Sequence, residues 1–560
     1  MKRFPRSVHC LALSAAFAAS GCASLVRPTV ERFVPPPTTT DTGLERFVSD
    51  DFGLLDLRNE QAGTLPWKLI ATALVLSEAK QLGLQADRDA LSPILERFGL
   101  LVPEAVANWP RAAGPAPTSG ETIGQTRRLA RSRLGGLEIE LRSPGCPLCH
   151  SGVMYDASGK PTRSVWLGIP NQSLQLDELN RAIPASLRAA MRDEAALLST
   201  LRRIFPEASP SEIKTYERAV LPRVRARLRD TDRGSERLLP FDNGGAGTVN
   251  NVAARLVVAG AVPSAAFRSE QNAIVSIPIL TNRAFRTSLM WDGAYVPPGA
   301  PRFEPVTRAQ ATKRGSAPHA GLLAVFSIGE GGIRPSRVPA RLASFEDLAR
   351  GLDRLAPPPF PGPVDRDLAA DGERVFANLC SSCHGDYEMR EGRPRLQSYP
   401  NRLVSLARIG TDPRRAQIVT SAVASTRAND RSRTAFRYAQ IEPTFGYVAP
   451  ILDGVWTTAP YLHNGSVPTL WHLMHPEARP TTFEVGGHRL DYDRMGIALE
   501  GDEGAGCQTH LRFPENWTPR SISSIYDTRL PGRSNAGHEF PFDGMSEAQK
   551  RAVTEYLKLF

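Results

Sequence analysis

Cys380-Ser381-Ser382-Cys383-His384 decides the reading of this chain, because the same pattern, C-x-x-C-H, occurs once more as Cys146-Pro147-Leu148-Cys149-His150. Two thiols three positions apart can add to the two vinyl groups of one porphyrin, and the histidine that follows presents its imidazole to the iron as proximal ligand. A dithiol exchange site or a zinc half-site would not require the histidine twice. The pattern implies two covalently bound haem c groups, attached through Cys146 and Cys149 and through Cys380 and Cys383, with His150 and His384 as iron ligands.

Outward from the second motif, Leu368 to Leu379 reads as a helix with Val375, Phe376 and Leu379 on one face. At the far end Ser546-Glu547-Ala548-Gln549 is a capping-box signature, followed by Val553, Tyr556, Leu557 and Phe560 at helical spacing. One helix before the haem and one amphipathic terminal helix resemble the class I cytochrome c fold. In that fold the two helices cross, which implies that Gly372 and Phe376 face the aromatic and Leu of the last helix.

The first motif is introduced differently. Leu137-Glu138-Ile139-Glu140-Leu141 alternates like a short strand, and Pro144-Gly145 breaks the chain just before Cys146. Helical stretches are expected at Leu187 to Phe205 and Ser211 to Leu228, and earlier at Trp67 to Leu82 and Ala90 to Leu101. The run Pro357-Pro358-Pro359-Phe360-Pro361-Gly362-Pro363 cannot lie inside a helix or a central strand and marks the main boundary. The expected organisation is a leader at 1–21, a tether at 22–45, an accessory helical region at 46–136, a first haem domain with insertions at 137–356 and a second at 364–560. The expected fold class is mainly α: two cytochrome c-like haem domains with long loops and insertions and few short strands. No repeat stands out beyond the two motifs.

At the N-terminus Lys2 and Arg3 precede the apolar stretch 10–19, too short to span a bilayer and built like a secretory leader. Ser20-Gly21-Cys22 resembles the bacterial lipobox, which implies an acylated Cys22 and a periplasmic protein anchored to the outer membrane. Plain cleavage near Ala23 is the alternative. Pro35-Pro36-Pro37-Thr38-Thr39-Thr40 suits a stiff tether.

The 560 residues are 41% hydrophobic and 22% charged, which excludes a disordered chain, while 45 Gly and 47 Pro call for many turns. The formal charge of +10 includes Lys2, Arg3 and Arg6 of the leader, and the remaining excess is scattered. Without a basic run carrying interleaved aromatics, nucleic acid is not an expected partner. Cys507 stands apart, and nothing in the sequence marks a calcium site, although calcium between the domains stays open.

Thr458-Ala459-Pro460-Tyr461-Leu462-His463-Asn464-Gly465-Ser466-Val467-Pro468-Thr469-Leu470, with Ser534-Asn535-Ala536-Gly537-His538 before the last helix, resembles the dihaem cytochrome c peroxidase superfamily. Within it the branch containing the rubber oxygenases is nearest. The resemblance is good over about 365–560, weaker over 137–300 and absent before that. It implies that the second haem is ligated by His384 and His538 and that the first, on His150, is the reactive one. The alternative is that His538 is a loop histidine and that His463 or Met474 is the sixth ligand.

For the first haem, the only histidine between the two motifs is His319, a candidate axial ligand or catalytic group. Arg283-Ala284-Phe285-Arg286-Thr287-Ser288-Leu289-Met290-Trp291-Asp292-Gly293 resembles the stretch lining the distal pocket of the superfamily. Phe285 and Trp291 are then apolar walls, and Arg286 or Asp292 handles protons; core aromatics beside a turn are the alternative. This stretch departs from the rubber-oxygenase pattern. The resulting expectation is electron transfer, with the first haem meeting peroxide or dioxygen and a redox partner protein supplying electrons. An alkene-cleaving dioxygenase and a plain electron carrier are the rivals.

Overall fold

The computed structural model describes residues 28–31, 42–49, 66–109, 122–132, 138–231, 241–251, 272–331, 336, 338–419, 437–501 and 509–560. The leader, Cys22 and Cys507 lie outside these residues. Among the described residues no helix is long and apolar enough to cross a membrane.

Helix α1 (Trp67–Glu78) is apolar on every side, and it is buried accordingly: Leu69, Ile70, Ala71, Ala73, Leu74 and Val75 have no accessible surface. It packs between α2 (Leu176–Ala190) and α3 (Glu194–Ile204) in a core that also takes in Leu148 of the first C-x-x-C-H. The helix expected from Leu187 to Phe205 is two helices. Asp193 accepts the Ala196 amide at 2.9 Å and caps α3, a local competition that ends α2 at Ala190.

The second core is gathered around α4 (Arg366–Leu379) and the C-terminal α5 (Glu547–Leu557). Ser546 and Gln549 close the expected capping box at the start of α5. The two helices cross at Gly372, where a Cβ would lie 2.0 Å from the Ala552 carbonyl oxygen. Phe376 packs there on Tyr556 and Phe560, both with ring centroids 5.5 Å away.

The expected mainly α layout of two cytochrome c-like domains is not the one the chain adopts. Twenty strands form eight sheets of two or three strands each among the described residues. The connections that Gly and Pro mark as loops still carry backbone donors and acceptors, and where they are buried short ladders satisfy them. Asp386–Arg390 and Arg393–Tyr399 form one such hairpin, turning on the left-handed pair Glu391 and Gly392. Other ladders cross the proline run: Val306–Thr307 pairs with Ser398–Tyr399, and Tyr295–Val296 with Gln440–Ile441.

A second departure is a repeat carried by the backbone. Residues 277–294 and 449–466 share Pro-Ile-Leu (278–280, 450–452) and a glycine (293, 465), and otherwise differ. Each segment continues through a left-handed residue (Asn282, Gly454) into a 3-10 turn (Arg283–Phe285, Val455–Thr458) and a second left-handed residue (Met290, Leu462). Each then closes a one-bridge hairpin, Leu289 with Tyr295 and Tyr461 with Val467. The copies also exchange equivalent hydrogen bonds: Ser276 N donates to the His463 carbonyl at 2.8 Å, and Val448 N to that of Trp291 at 2.9 Å. They face each other in the middle of the molecule, between the two C-x-x-C-H motifs.

Candidate haem centres

Pro144 and Gly145 end the strand Glu138–Pro144 and deliver the chain into a one-turn helix, Cys146–Cys149. Asn171 fastens this turn to the first core, its Nδ2 donating to the carbonyls of Leu148 (3.0 Å) and Gly99 (2.9 Å). His150 closes the turn, and its Nδ1 donates to the Pro278 carbonyl at 3.0 Å. A carbonyl can only accept, so the proton is on Nδ1 and Nε2 is left as a lone-pair donor. Burial, and then Arg283, lower the imidazole pKa to about 4, keeping it neutral.

The second motif repeats the arrangement. Helix α4 runs directly into Cys380, a turn over Ser381–His384 follows, and His384 Nδ1 donates to the Pro450 carbonyl at 2.8 Å. Pro278 and Pro450 are equivalent residues of the backbone repeat, so one device orients both histidines. Burial, with Cys383 adding, pushes the Cys380 thiol up to about 12.

His538 stands opposite His384. The two imidazoles lie with centroids 6.2 Å apart and planes 35° from parallel. Two metal–imidazole bonds of about 2 Å, plus the depth of two five-membered rings, fill that span. His538 is left-handed at φ 54°, its N–H donates to the Ile409 carbonyl at 2.7 Å, and its Nδ1 is buried without a partner. Burial, and then His384, lower its pKa to about 4. The loop that carries it is clamped from two sides. Asn464 Nδ2 and Ser466 Oγ both reach the Ser534 carbonyl at 2.9 Å, while Arg479 Nη1 holds the carbonyls of Asn535 (2.6 Å) and Gly537 (2.9 Å).

The other residues open as sixth ligands also line the cavity between the motifs, without a ring contact to His384. Met474 is buried in the second core, with Thr554 Oγ1 3.8 Å from its sulfur. His463 stacks on Tyr447 at 4.0 Å, its Nε2 unpartnered and its pKa lowered to about 3 by burial and then Arg415. Among the described residues no imidazole faces His150. His319 is buried at the wall, with Nε2 donating to the Arg286 carbonyl at 3.0 Å and Nδ1 unpartnered. Burial, and then Arg314, take its pKa to about 3.

One apolar cavity of about 860 Å³ connects both motifs. Trp291, Met290 and His319 line it, and Trp291 is fixed through Nε1 to the Ser276 carbonyl at 3.0 Å. Phe285 and Asp292 do not line it. Phe285 packs behind the wall with Val306, Leu396 and Tyr399, and Asp292 faces Arg415 in an ion pair of 3.0 Å with both side chains 1% exposed. The carboxylate is thus held away from the cavity by a guanidinium. Among the described residues no three His, Cys, Asp or Glu side chains gather to hold a metal ion such as calcium.

Sequence reading missed the carbonyls of Pro278 and Pro450, the Asn464 clamp, and Arg283 and Arg415 at the cavity wall. The repeated Pro-Ile-Leu was the available signal for the first two. Arg283 and Arg415 carry no local mark.

Residues 446–484 match the family described as RoxA-like, cytochrome c-like. This stretch holds Pro450, His463, Asn464 and Arg479, that is, the support of the second centre. The match supports a c-type cytochrome carrying haem c and linked to the rubber-oxygenase-like proteins. Two curated proteins of Sinorhizobium fredii are also similar, both described as uncharacterized. With y4iM the identity is 32% over 217 residues, 34% of this chain and 45% of that protein. With y4iJ it is 29% over 267 residues, 37% of this chain and 42% of that protein. The chain spans less than half the length of these relatives.

Proposed function

We propose that this c-type cytochrome carries two haem c groups, the second relaying electrons and the first reacting with peroxide or dioxygen, as an oxidoreductase of the dihaem cytochrome c peroxidase superfamily. One asymmetry supports this reading: an imidazole stands 6.2 Å from His384, whereas among the described residues no ring contact pairs an imidazole with His150. Bound haem supplies an iron that exchanges electrons when both axial sites are filled and takes small oxidants when one is open.

The chain's own residues serve this division. Cys146 and Cys149, and Cys380 and Cys383, hold the porphyrins covalently. The carbonyls of Pro278 and Pro450 fix the rotation and tautomer of His150 and His384. Trp291, pinned to Ser276, gives the cavity that connects the two motifs a fixed apolar wall. His319 keeps its proton on Nε2, so its Nδ1 is an acceptor at the first-haem side of the cavity.

Export, a lipid anchor at Cys22 on the periplasmic face of the outer membrane, and a protein electron donor belong to the same proposal and rest on the sequence. The domain limits near 137–356 and 364–560 are likewise the sequence's division. A second reading, cleavage of an apolar alkene by dioxygen, draws on the apolar lining of the cavity.

A low-temperature electron paramagnetic resonance spectrum of the holo-protein, with and without cyanide, tests the proposal. A high-spin signal that cyanide converts, beside a low-spin signal that it leaves alone, is the expected result. Two unresponsive low-spin signals would leave an electron carrier. Product analysis with an alkene and dioxygen in the absence of a reductant separates the second reading.

A further inference from the structure

Buried cations elsewhere in this fold stand beside acids. Lys68 meets Glu212 at 2.7 Å and Glu140 at 3.5 Å, Arg142 meets Glu140 at 2.9 Å, and Arg415 meets Asp292 at 3.0 Å. Arg283 and Arg286 break this pattern. Both line the cavity on the side of the first motif. Arg283 Nη2 donates to the Ile279 carbonyl at 2.6 Å, and its Nε is buried without a partner. Arg286, 9% exposed, donates from Nε and Nη2 to the carbonyls of Ser288 (3.1 Å) and Met290 (3.2 Å). These carbonyls orient the guanidiniums and leave the two charges unneutralised.

Among the described residues no carboxylate forms an ion pair with either. Asp353 lies in the neighbourhood, but it faces Arg314 and accepts the Ser316 amide at 2.8 Å. Burial, and then repulsion from Arg286, bring the Arg283 pKa down to about 9, which leaves that guanidinium charged at neutral pH. Two guanidiniums on one cavity wall, Arg286 buried and Arg283 half-buried with its Nε unpartnered, are costly unless an anion joins them. The backbone repeat sharpens the point. The positions equivalent to Arg283 and Arg286 in the second copy are Val455 and Thr458, so the charge is specific to the first-motif side.

We propose that Arg283 and Arg286 form an anion site beside the first haem that takes a carboxylate or a small oxyanion. The forked N–H donors of arginine match that planar acceptor geometry. The anion has two possible sources: a propionate of the haem held at Cys146 and Cys149, or a carboxylate from solution. The inference rests on the haem reading of the first motif and adds to it a positive charge anchored at Ile279, next to the Pro278 carbonyl that holds His150.

The test uses the holo-protein with Arg283→Gln and Arg286→Gln, and Arg283→Lys as the charge-retaining control. Haem stoichiometry by pyridine haemochrome comes first, and the reduction potential of the first haem is then titrated against acetate. If a propionate fills the site, the wild-type potential ignores acetate and both Gln variants lower it, while Lys largely restores it. If the site takes a carboxylate from solution, the wild-type potential falls as acetate rises and the Gln variants lose that dependence. Potentials unmoved by either Gln variant, together with no effect of acetate, would overturn the anion site. Fewer than two haems in the wild-type chain would instead fail the haem reading. Acetate binding followed by calorimetry, which needs no iron, would then decide the site by its presence in wild type and its loss in Arg283→Gln.

Discussion

The phenol oxygen of Tyr155 and His488 Nε2 share a hydrogen bond of 3.0 Å, and the two rings stack at 5.6 Å, although they stand 333 residues apart in the chain. Tyr155 ends the strand that follows the first C-x-x-C-H, and His488 belongs to a loop of the second core, so the pair ties the two together. Tyr155 is half-buried and His488 buried, and burial pushes the His488 pKa down to about 4.

That shift has a sign. A histidine whose folded pKa lies below its unfolded value of about 6.5 stabilises the fold fully above that value and loses the contribution as pH falls through about 4. The whole window is worth about 3 kcal/mol. His488→Gln, compared with wild type by urea denaturation, should show a stability gap at pH 7 that narrows toward pH 4. A gap constant across that range would refute the assignment.

The crossing of α4 and α5 leaves no room for a methyl group. Gly372→Ala should lower stability by about 1–3 kcal/mol or more, because the new Cβ meets the backbone of Ala552 rather than a side chain that can swing away. Gly544→Ala, where nothing lies within 4 Å, is the control and should stay within about 0.5 kcal/mol of wild type. Equal midpoints for the two variants would mean that the helices do not meet as described.

Asn464 donates to two carbonyls of the His538 loop, those of Ser534 (2.9 Å) and Gly532 (3.3 Å). Asn464→Ala strands both and should cost about 1–3 kcal/mol. Because the loop carries a sixth ligand in the proposed reading, a partial change from low to high spin at the second haem should accompany the loss. A spectrum identical to wild type would separate Asn464 from the support of His538.

The Asp292–Arg415 pair should be far more sensitive to single than to double replacement. Arg415→Met takes the guanidinium from a buried carboxylate and should cost about 3–5 kcal/mol, whereas Asp292→Leu with Arg415→Met should recover much of that. Thermal denaturation of the three proteins gives the answer, and additive losses would count against a direct interaction.

The two C-x-x-C-H motifs, the helix into Cys380 and the capping box at Ser546 were legible because each is a local pattern with a local cause. What escaped depended on partners far along the chain. Phe285 and Trp291 read alike as aromatic walls, yet the 3-10 turn at Arg283–Phe285 sends the first into the core and leaves the second at the cavity. Asp292 reads as a proton-handling group, and only the fold reveals Arg415 beside it. The small sheets were missed because two- and three-residue ladders leave too short an alternation to detect. The repeat was missed because conformation, and not side-chain identity, carries it: Trp291 matches His463, and Met290 matches Leu462.

A cavity of about 860 Å³ between two cores also bears on how the molecule is made. Native interiors are packed as tightly as organic crystals, and in the proposed reading the apolar walls of this one pack against porphyrin. The walls should therefore close on their contents rather than wait for them. On that account, maturation and folding are one event for this chain, and the machinery that attaches haem would act on a nascent, open polypeptide. A cell starved of that machinery should accumulate degraded chain and little folded apoprotein, so the abundance of this protein would report on cofactor supply.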